Sequence, residues 1–299
     1  MACVRPLDAW MAVGGGLTFN RRESRGVPHY RLPCGQCLGC RLRNSHDWAL
    51  RCTHEASLHK FNCFVTLTYD QHHLPADQSV SAAEWKRFAD RLRQRIGPFR
   101  YMMCGEYGDK KLRPHYHALI FSTAFVDDRY PSPRARPGQI TYESPTLSKA
   151  WPFGFAEFGG VSWESARYVA GYVTKKRRER RLGGAPEPRY TRTYGPYSWQ
   201  VKPEFGNASR RPGIGRAWIE RYWQDVYPAD RVVTPDGREA KPPKYYDNWA
   251  KENIPEVWEE VEAKRNKEVA ENPYDWEQAQ KKDAHLRAKF ALYQRKQRL

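Results

Sequence analysis

Two histidines stand one residue apart in the run RPHYHALIF, Arg113 to Phe121. Strand alternation points His115 and His117 to one face, where both imidazoles can reach a single divalent ion. A third ligand must then come from a neighbouring element. Glu106 closes the preceding strand-like run FRYMMCGEYG, and the turn DKKLRP returns the chain beside it. Two imidazoles and a carboxylate leave positions open for water or a phosphate oxygen, as a catalytic metal requires. The competing explanation is a pair of satisfied core histidines, and the H-x-H spacing taken alone favours it. A carboxylate on the paired strand shifts the balance toward a metal site.

A second group of reactive side chains follows in RYVAGYVTKK. Tyr168 and Tyr172 are four residues apart, on one helical face, with Lys175 and Lys176 on the next turn. A phenol with pKa about 10 is a weak nucleophile at neutral pH. A metal drawing charge from a phosphate, with an ammonium nearby, changes that. Attack on a DNA phosphate would give a phosphotyrosine and release a 3′-hydroxyl. Packing beside Val169 and Val173 is the better explanation of the tyrosines alone, but not with H-x-H on an adjacent strand.

A third group is thiol-rich. Cys34, Cys37 and Cys40 are spaced three apart, and Cys52 follows as the expected fourth ligand, with His46 and His54 as substitutes. In a reducing compartment this spacing points to structural zinc. Iron–sulfur ligation is the alternative, although the close fourth cysteine of a ferredoxin run is absent. Three buried apolar thiols within seven residues would be unusual.

The elements that must position these groups are legible in part. FNCFVTLTY (Phe61–Tyr69) is rich in β-branched and aromatic residues and predicts a strand. Ser81 with Glu84 predicts a capping box, Trp85, Phe88, Leu92 and Ile96 repeat at helical spacing, and Gly97-Pro98 ends that helix. FRYMMCGEYG and HYHALIF give two further strands. The Pro-rich stretch from Ser122 to Pro145 predicts a long loop or insertion, FGFAEFGGV a fourth strand, and SWESARYVAGYVTKK a helix with Ser162 as N-cap. Strand, helix, three strands and helix predict an α+β fold, an antiparallel sheet with helices packed on it. The chain's end is mixed in charge and helical in pattern.

The 299 residues carry a net charge of +17 and a pI near 9.6. Such a field concentrates polyanions, so nucleic acid is the leading partner. The 11 Trp, 18 Tyr and 12 Phe suit unpaired bases, which stack on rings while cations track phosphates. From Lys175 to Arg216 the chain has twelve Lys/Arg against three Asp/Glu, which predicts an arm or irregular lobe laid on phosphate. Arg177, Arg178, Arg180, Arg181, Arg210 and Arg211 are its candidate DNA-binding residues. No apolar run is long enough to span a bilayer, and the opening MACVRPLDAWMAVGGG lacks a signal-peptide core, so a cytoplasmic protein without a membrane partner is expected.

RPHYHALIF resembles the histidine–hydrophobic–histidine motif of HUH endonucleases, the rolling-circle replication initiators. YVAGYVTKK resembles their two-tyrosine nucleophile motif, and FVTLTYD the strand motif that precedes both. With PCGQCLGCRLRNSHDWALRCTHEA and SRRPGIGRAWIERY, the chain resembles the initiators of gokushovirus-type microviruses, small single-stranded DNA phages. The resemblance runs from about Pro33 to Tyr222. It implies an RRM/ferredoxin-like HUH core with metal ligands at His115 and His117 and nucleophiles at Tyr168 and Tyr172. Glu106 as third ligand rests on the hairpin, and Thr66 or Thr68 of the first strand is a candidate to face the same site. The hydrophobic position between the histidines is here Tyr116.

The expected organisation is a cysteine-rich zinc module over 1–59, an HUH core over 60–178, and a basic, partly helical region over 179–299. The expected activity is nicking and rejoining of single-stranded origin DNA in the cytoplasm of a bacterial host, with Mg2+ or Mn2+ as catalytic ion and Zn2+ as structural ion. The chain contains no P-loop motif, so strand separation falls to a host helicase or to supercoiling, and synthesis to a host polymerase. Two other readings stand beside it. A non-enzymatic, zinc-containing single-strand binder keeps the charge and cysteines but gives the histidines and tyrosines no task. A relaxase or transposase shares the chemistry, but length, cysteine motif and C-terminal signatures favour phage replication.

Overall fold

Along β4 (Asn62–Tyr69) side chains alternate strictly between buried and half-buried, the signature of a strand covered on both faces but wetter on one. The strand belongs to a computed structural model that describes residues 3–108, 112–135, 138–175 and 190–298. Chain packing divides the molecule into two units, residues 45–261 and residues 1–44 with 262–299.

The larger unit is built on a seven-stranded antiparallel sheet. Its members in chain order are β4, β5 (Arg100–Tyr107), β6 (Pro114–Phe121), β7 (Tyr130–Pro131), β8 (Tyr142–Glu143), β9 (Gly154–Gly159) and β12 (Phe205–Ala208). Their spatial order is β12-β5-β6-β4-β9-β8-β7. On one face lie α2 (Ala82–Ile96) and α3 (Pro145–Ala150), and on the other lies α4 (Trp163–Lys175) with residues 45–57 of α1 (Leu38–Ser57). The α+β class and the antiparallel sheet are as the sequence predicts.

Each face has its own core. Cys63, Val65 and Leu67 of β4 join Tyr116, Ala118 and Ile120 of β6 under Trp85, Phe88 and Leu92 of α2. On the opposite face Met102, Cys104, Leu119 and Phe121 pack against Ala166, Val169 and Ala170 of α4. Ser81 caps α2 as expected, its Oγ accepting from Glu84 N at 3.3 Å. The reciprocal half of the predicted capping box does not form. Glu84 turns to Arg87 and Arg91, and Ser81 N–H donates instead to Tyr116 Oη at 2.9 Å. Tyr116, the unusual residue between the histidines, thus points away from them and secures α2.

Two expected irregular stretches carry structure. The segment 122–145 contributes β7 and β8 to the sheet, and Ser144 caps α3 with Pro145 in its first turn. Within the expected basic arm, β10 (Tyr190–Tyr194) and β11 (Tyr197–Val201) form a hairpin, and β12 pairs with β5 at the sheet edge. Beyond it, α5 (Arg216–Val226), a small hairpin of β13 (Val232–Val233) and β14 (Glu239–Ala240), and α6 (Lys244–Asn253) enclose a third core around Leu50, Ile219, Tyr227, Tyr246 and Trp249. α7 (Pro255–Glu271) and α8 (Trp276–Arg298) realise the helical C-terminal pattern.

The smaller unit begins with an antiparallel sheet in the order β2-β1-β3, made of β1 (Leu7–Ala12), β2 (Leu17–Thr18) and β3 (Ser24–Leu32). No described helix is long and apolar enough to cross a membrane.

Candidate functional site

The α4 face of the sheet changes chemistry halfway along its strands. Met102 and Cys104 of β5 and Leu119 and Phe121 of β6 are apolar and fully buried, whereas the next positions outward are Glu106, His117 and His115. Strand register explains the meeting, since Glu106 pairs with His115 and Cys104 with His117. Across the other edge of β6, Thr66 pairs with His117 and Thr68 with His115. All these side chains share one face by alternation.

Glu106 Oε1 lies 3.0 Å from His115 Nε2 and 2.9 Å from His117 Nε2. The far side of each imidazole is also held. His115 Nδ1 lies 3.0 Å from the Arg113 carbonyl, which only accepts, so this nitrogen carries a proton there. His117 Nδ1 lies 3.0 Å from Thr66 Oγ1, and Phe64 stacks on its ring with centroids 5.3 Å apart. Both rings therefore aim Nε2 at the carboxylate. Burial alone would raise the Glu106 carboxyl, but hydrogen bonds from the two imidazoles outweigh it and hold it well below the usual carboxylate range. Burial pulls His117 below its ordinary value against the attraction of Glu106.

Tyr168 enters this cluster from α4. Ser162 caps that helix as predicted, accepting from Ser165 N at 3.1 Å and receiving Ser165 Oγ at its own N–H. With Ala166, Val169 and Ala170 facing the core, Tyr168 falls on the flank of the helix, and its Oη donates to Glu106 Oε1 at 2.6 Å. Its ring meets His117 edge to face at 5.2 Å. Tyr172 lies one helical turn further along α4 and Lys175 ends it, with side chains outside the described set. Lys176, Arg177, Arg178, Arg180 and Arg181 lie outside the described residues.

The donor set fits a divalent cation. Three groups crowd Oε1 of Glu106, while its Oε2 is buried with no hydrogen-bond partner. A buried anionic oxygen without a partner is costly, and a cation between carboxylate and imidazoles would satisfy it. Glu106, His115 and His117 are close enough for one ion.

The cysteines make a second cluster in the smaller unit. Cys3, Cys34, Cys37 and Cys40 place their sulfurs within 4.8 Å of one another. The fourth thiol is Cys3 rather than the expected Cys52, which is fully buried with its Sγ 3.1 Å from Met102 Sδ. The substitutes are also committed, His46 to the Trp163 ring and His54 to Tyr246 Oη. Antiparallel pairing of Leu7 with Leu32 brings the chain preceding β1 alongside the chain following β3, and so Cys3 to Cys34. Sulfurs about 2.3 Å from one tetrahedral ion are about 3.8 Å apart; Cys37 Sγ and Cys3 Sγ are 3.9 Å apart. Burial raises the Cys34 thiol, but the N–H groups of Cys37 and Gln36 and the Cys3 and Cys37 thiols outweigh it and bring it to about 7. Four such thiols could hold a metal such as zinc.

Arg210 and Arg211 sit exposed in the loop between β12 and α5. A small pocket of about 150 Å³ beside the histidine cluster is lined by Thr66, Thr68, Phe155, Glu157 and Arg134, none of the last three foreseen from sequence. Arg134 lies over the Phe155 ring and pairs with Glu157, contacts between an insertion and β9 that local pattern could not reveal.

The molecule is thus an antiparallel α+β protein with two clusters of metal-ligating side chains, one of them touching a tyrosine. Residues 62–177 match the family described as replication-associated protein ORF2. The chain is 34% identical over 284 residues to replication-associated protein VP4 of Bdellovibrio phage phiMH2K, covering 91% of this chain and 85% of that one. It is 32% identical over 273 residues to replication-associated protein ORF2 of Spiroplasma virus 4, covering 83% and 79%. Replication-associated protein ORF4 of Chlamydia phage 1 is 32% identical over 156 residues, covering 49% and 39%. No solved structure matches. The chain belongs to the microvirus-type replication-associated proteins, the rolling-circle initiator family its motifs resemble.

Proposed function

We propose that this protein nicks and rejoins single-stranded DNA at a phage origin, through tyrosine attack on a phosphodiester, to start rolling-circle replication in the bacterial cytoplasm. The observation that carries the reading is the 2.6 Å contact of Tyr168 Oη with Glu106 Oε1, the oxygen that both imidazole Nε2 atoms approach. A nucleophile so placed is within reach of any phosphate bound at that cluster.

Glu106, His115 and His117 are the proposed ligands of Mg2+ or Mn2+, which when bound would polarise a non-bridging phosphate oxygen. Glu106 accepts the Tyr168 hydrogen bond and so orients Oη. Tyr168 Oη forms a bond to phosphorus as the P–O3′ bond breaks. The phenolic proton is lost to solvent, and the departing 3′ oxygen takes one up as the primer hydroxyl. The 5′ end stays on the enzyme as a phosphotyrosine ester. In the reverse reaction a 3′-hydroxyl attacks that ester, so rejoining needs no ATP. Tyr172, one turn further, provides a second nucleophile for cutting the regenerated origin, and Lys175 and Lys176 supply ammonium groups near the phosphate.

In this reading residues 1–59 contain a structural zinc module, 60–178 the HUH nuclease core, and 179–299 the basic region. Arg177, Arg178, Arg180, Arg181, Arg210 and Arg211 bind DNA phosphates, and a host helicase and polymerase act on the nicked strand. The test is a denaturing gel of protein incubated with end-labelled origin oligonucleotide and Mn2+. A covalent band is expected, and it should vanish in the Tyr168→Phe/Tyr172→Phe variant while salt-sensitive binding persists. A double variant that still cross-links overturns the tyrosine assignment. Binding without any band in the parent protein identifies a single-strand binding module instead.

A further inference from the structure

At the end of β5 remote from Glu106, a cleft of about 740 Å³ opens between the α2–β5 connection and the loop following β12. Arg93, Arg100, Arg210 and Arg211 line it, together with Asn207 and Ser209, and its lining contains no carboxylate. We propose that this cleft grips the phosphate backbone of a DNA duplex flanking the cleavage site.

The loop presenting Arg210 and Arg211 is fixed by buried charge. Ser209 N donates to Tyr101 O at 2.9 Å, and Tyr101 N donates back to Ser209 Oγ at 3.1 Å. Arg100 binds Glu55 through Nε and donates to the Pro212 and Gly213 carbonyls at 2.9 and 3.0 Å. Glu55, only 2% exposed, accepts from Gly215 N at 2.7 Å. Buried Arg51 donates to Ile214 O at 3.0 Å. Gly215 has φ 78°, and a Cβ there would lie 2.6 Å from Tyr246 Oη, so the chain can turn this way only with glycine. Burying a carboxylate and two guanidiniums is weak as a stabilising device. Here these groups hold one short loop in place, and that loop exposes two arginines.

The cleft's chemistry selects a backbone rather than bases. Its rings are already used: Phe99 is buried, and the Arg93 guanidinium lies 5.0 Å from the Phe99 centroid and 6.0 Å from that of Tyr101. No open aromatic platform remains of the kind that single-strand binders use for stacking. Asn207 Oδ1 accepts from Ala208 N, which leaves the amide N–H groups as donors. Arg93 pairs with Asp90 at 3.2 Å with both side chains largely exposed, a contact weak enough for a phosphate to replace. A duplex, whose bases are hidden and whose phosphates are not, meets these requirements.

Six residues of β5 separate Arg100 from Glu106, about 20 Å of strand. That span corresponds to about six base pairs at 3.4 Å each. The position relative to cleavage rests on the proposed nicking reaction, whereas backbone binding does not.

The test uses the full chain without added Mg2+ or Mn2+, with a blunt duplex and its single strand at equal length. Affinity is followed by fluorescence anisotropy against salt. Each phosphate contact contributes about 0.9 to the slope of log K against log salt, so Arg210→Ala/Arg211→Ala should flatten the duplex slope by about 1.8 and the single-strand slope far less. Arg210→Lys/Arg211→Lys should preserve the slope. Arg231→Ala/Arg238→Ala, which removes the same charge from a distant hairpin, should leave it unchanged. Equal flattening by both alanine pairs, or equal effects on duplex and single strand, overturns the proposal. Because no cleavage enters the measurement, its failure leaves the nicking reading intact, and the converse also holds.

Discussion

Glu106 and His115 are direct cross-strand partners in β5 and β6, and their side chains meet with Oε1 3.0 Å from Nε2. Two proposed ligands are therefore fixed by backbone register. Glu106→Gln keeps the shape and removes the charge. It should weaken Mn2+ binding by more than the roughly 10–100-fold typical of losing an outer-sphere partner, and abolish the covalent DNA adduct. Mn2+ titration followed by electron paramagnetic resonance reads the affinity. A variant that binds Mn2+ like the parent removes Glu106 from the ligand set.

Thr66 acts one step further out. Its Oγ1 meets His117 Nδ1 at 3.0 Å, so it orients the ring and need not touch the ion. Thr66→Val retains β-branching and volume and should fold normally, yet lower Mn2+ affinity about 10–100-fold. Thr68→Val is the matched comparison, because its cross-strand partner His115 is already held by the Arg113 carbonyl. Equal losses in the two variants would indicate a general disturbance of β4 rather than control of His117.

Much of this arrangement was legible in sequence because it depends on short-range repetition. Strict alternation identified β4, helical spacing identified α2 and α4, and a tight hairpin sufficed to bring Glu106 to the histidines. The choice between Thr66 and Thr68 was not legible, since both share a face and only the ring orientation separates them. β12 escaped notice because FGNA is four residues long, contains glycine, and gains its order by pairing with β5. α1 was obscured when Cys52 was read as a ligand, although it fills a buried helix position.

Cys3 was missed for a different reason. It lies thirty-one residues before Cys34, and only the β1–β3 pairing closes that gap. β3, SRGVPHYRL, carries glycine and proline in its interior, which masks the strand. The expected consequence is specific. Cys3→Ser should lose bound zinc as completely as Cys34→Ser, whereas Cys52→Ser should keep full zinc and lose about 1–3 kcal/mol by placing a hydroxyl beside Met102. Native mass spectrometry gives the zinc count and denaturant unfolding the stability. Zinc lost from Cys52→Ser but retained in Cys3→Ser would reverse the assignment.

His54 gives the fold an acid-sensitive point away from the proposed reaction. Its ring stacks on Trp218 with centroids 3.6 Å apart, its Nδ1 lies 2.9 Å from Tyr246 Oη, and burial lowers its pKa from 6.5 to about 4. Above pH 6.5 the ring is neutral folded or unfolded, so it adds no pH dependence there. As pH falls toward 4 the unfolded chain takes up a proton that the folded chain refuses, and stability declines. The decline stops below the folded value, when both states are protonated. A shift of this size corresponds to about 3 kcal/mol across the window, at 1.36 kcal/mol per unit. His54→Phe keeps the stack on Trp218 and removes the titration. It should be somewhat less stable at pH 7, through loss of the Tyr246 contact, but lose about 3 kcal/mol less than the parent between pH 7 and pH 4. Urea unfolding at both pH values measures the difference, and identical acid sensitivity in the two proteins would show that His54 does not set it.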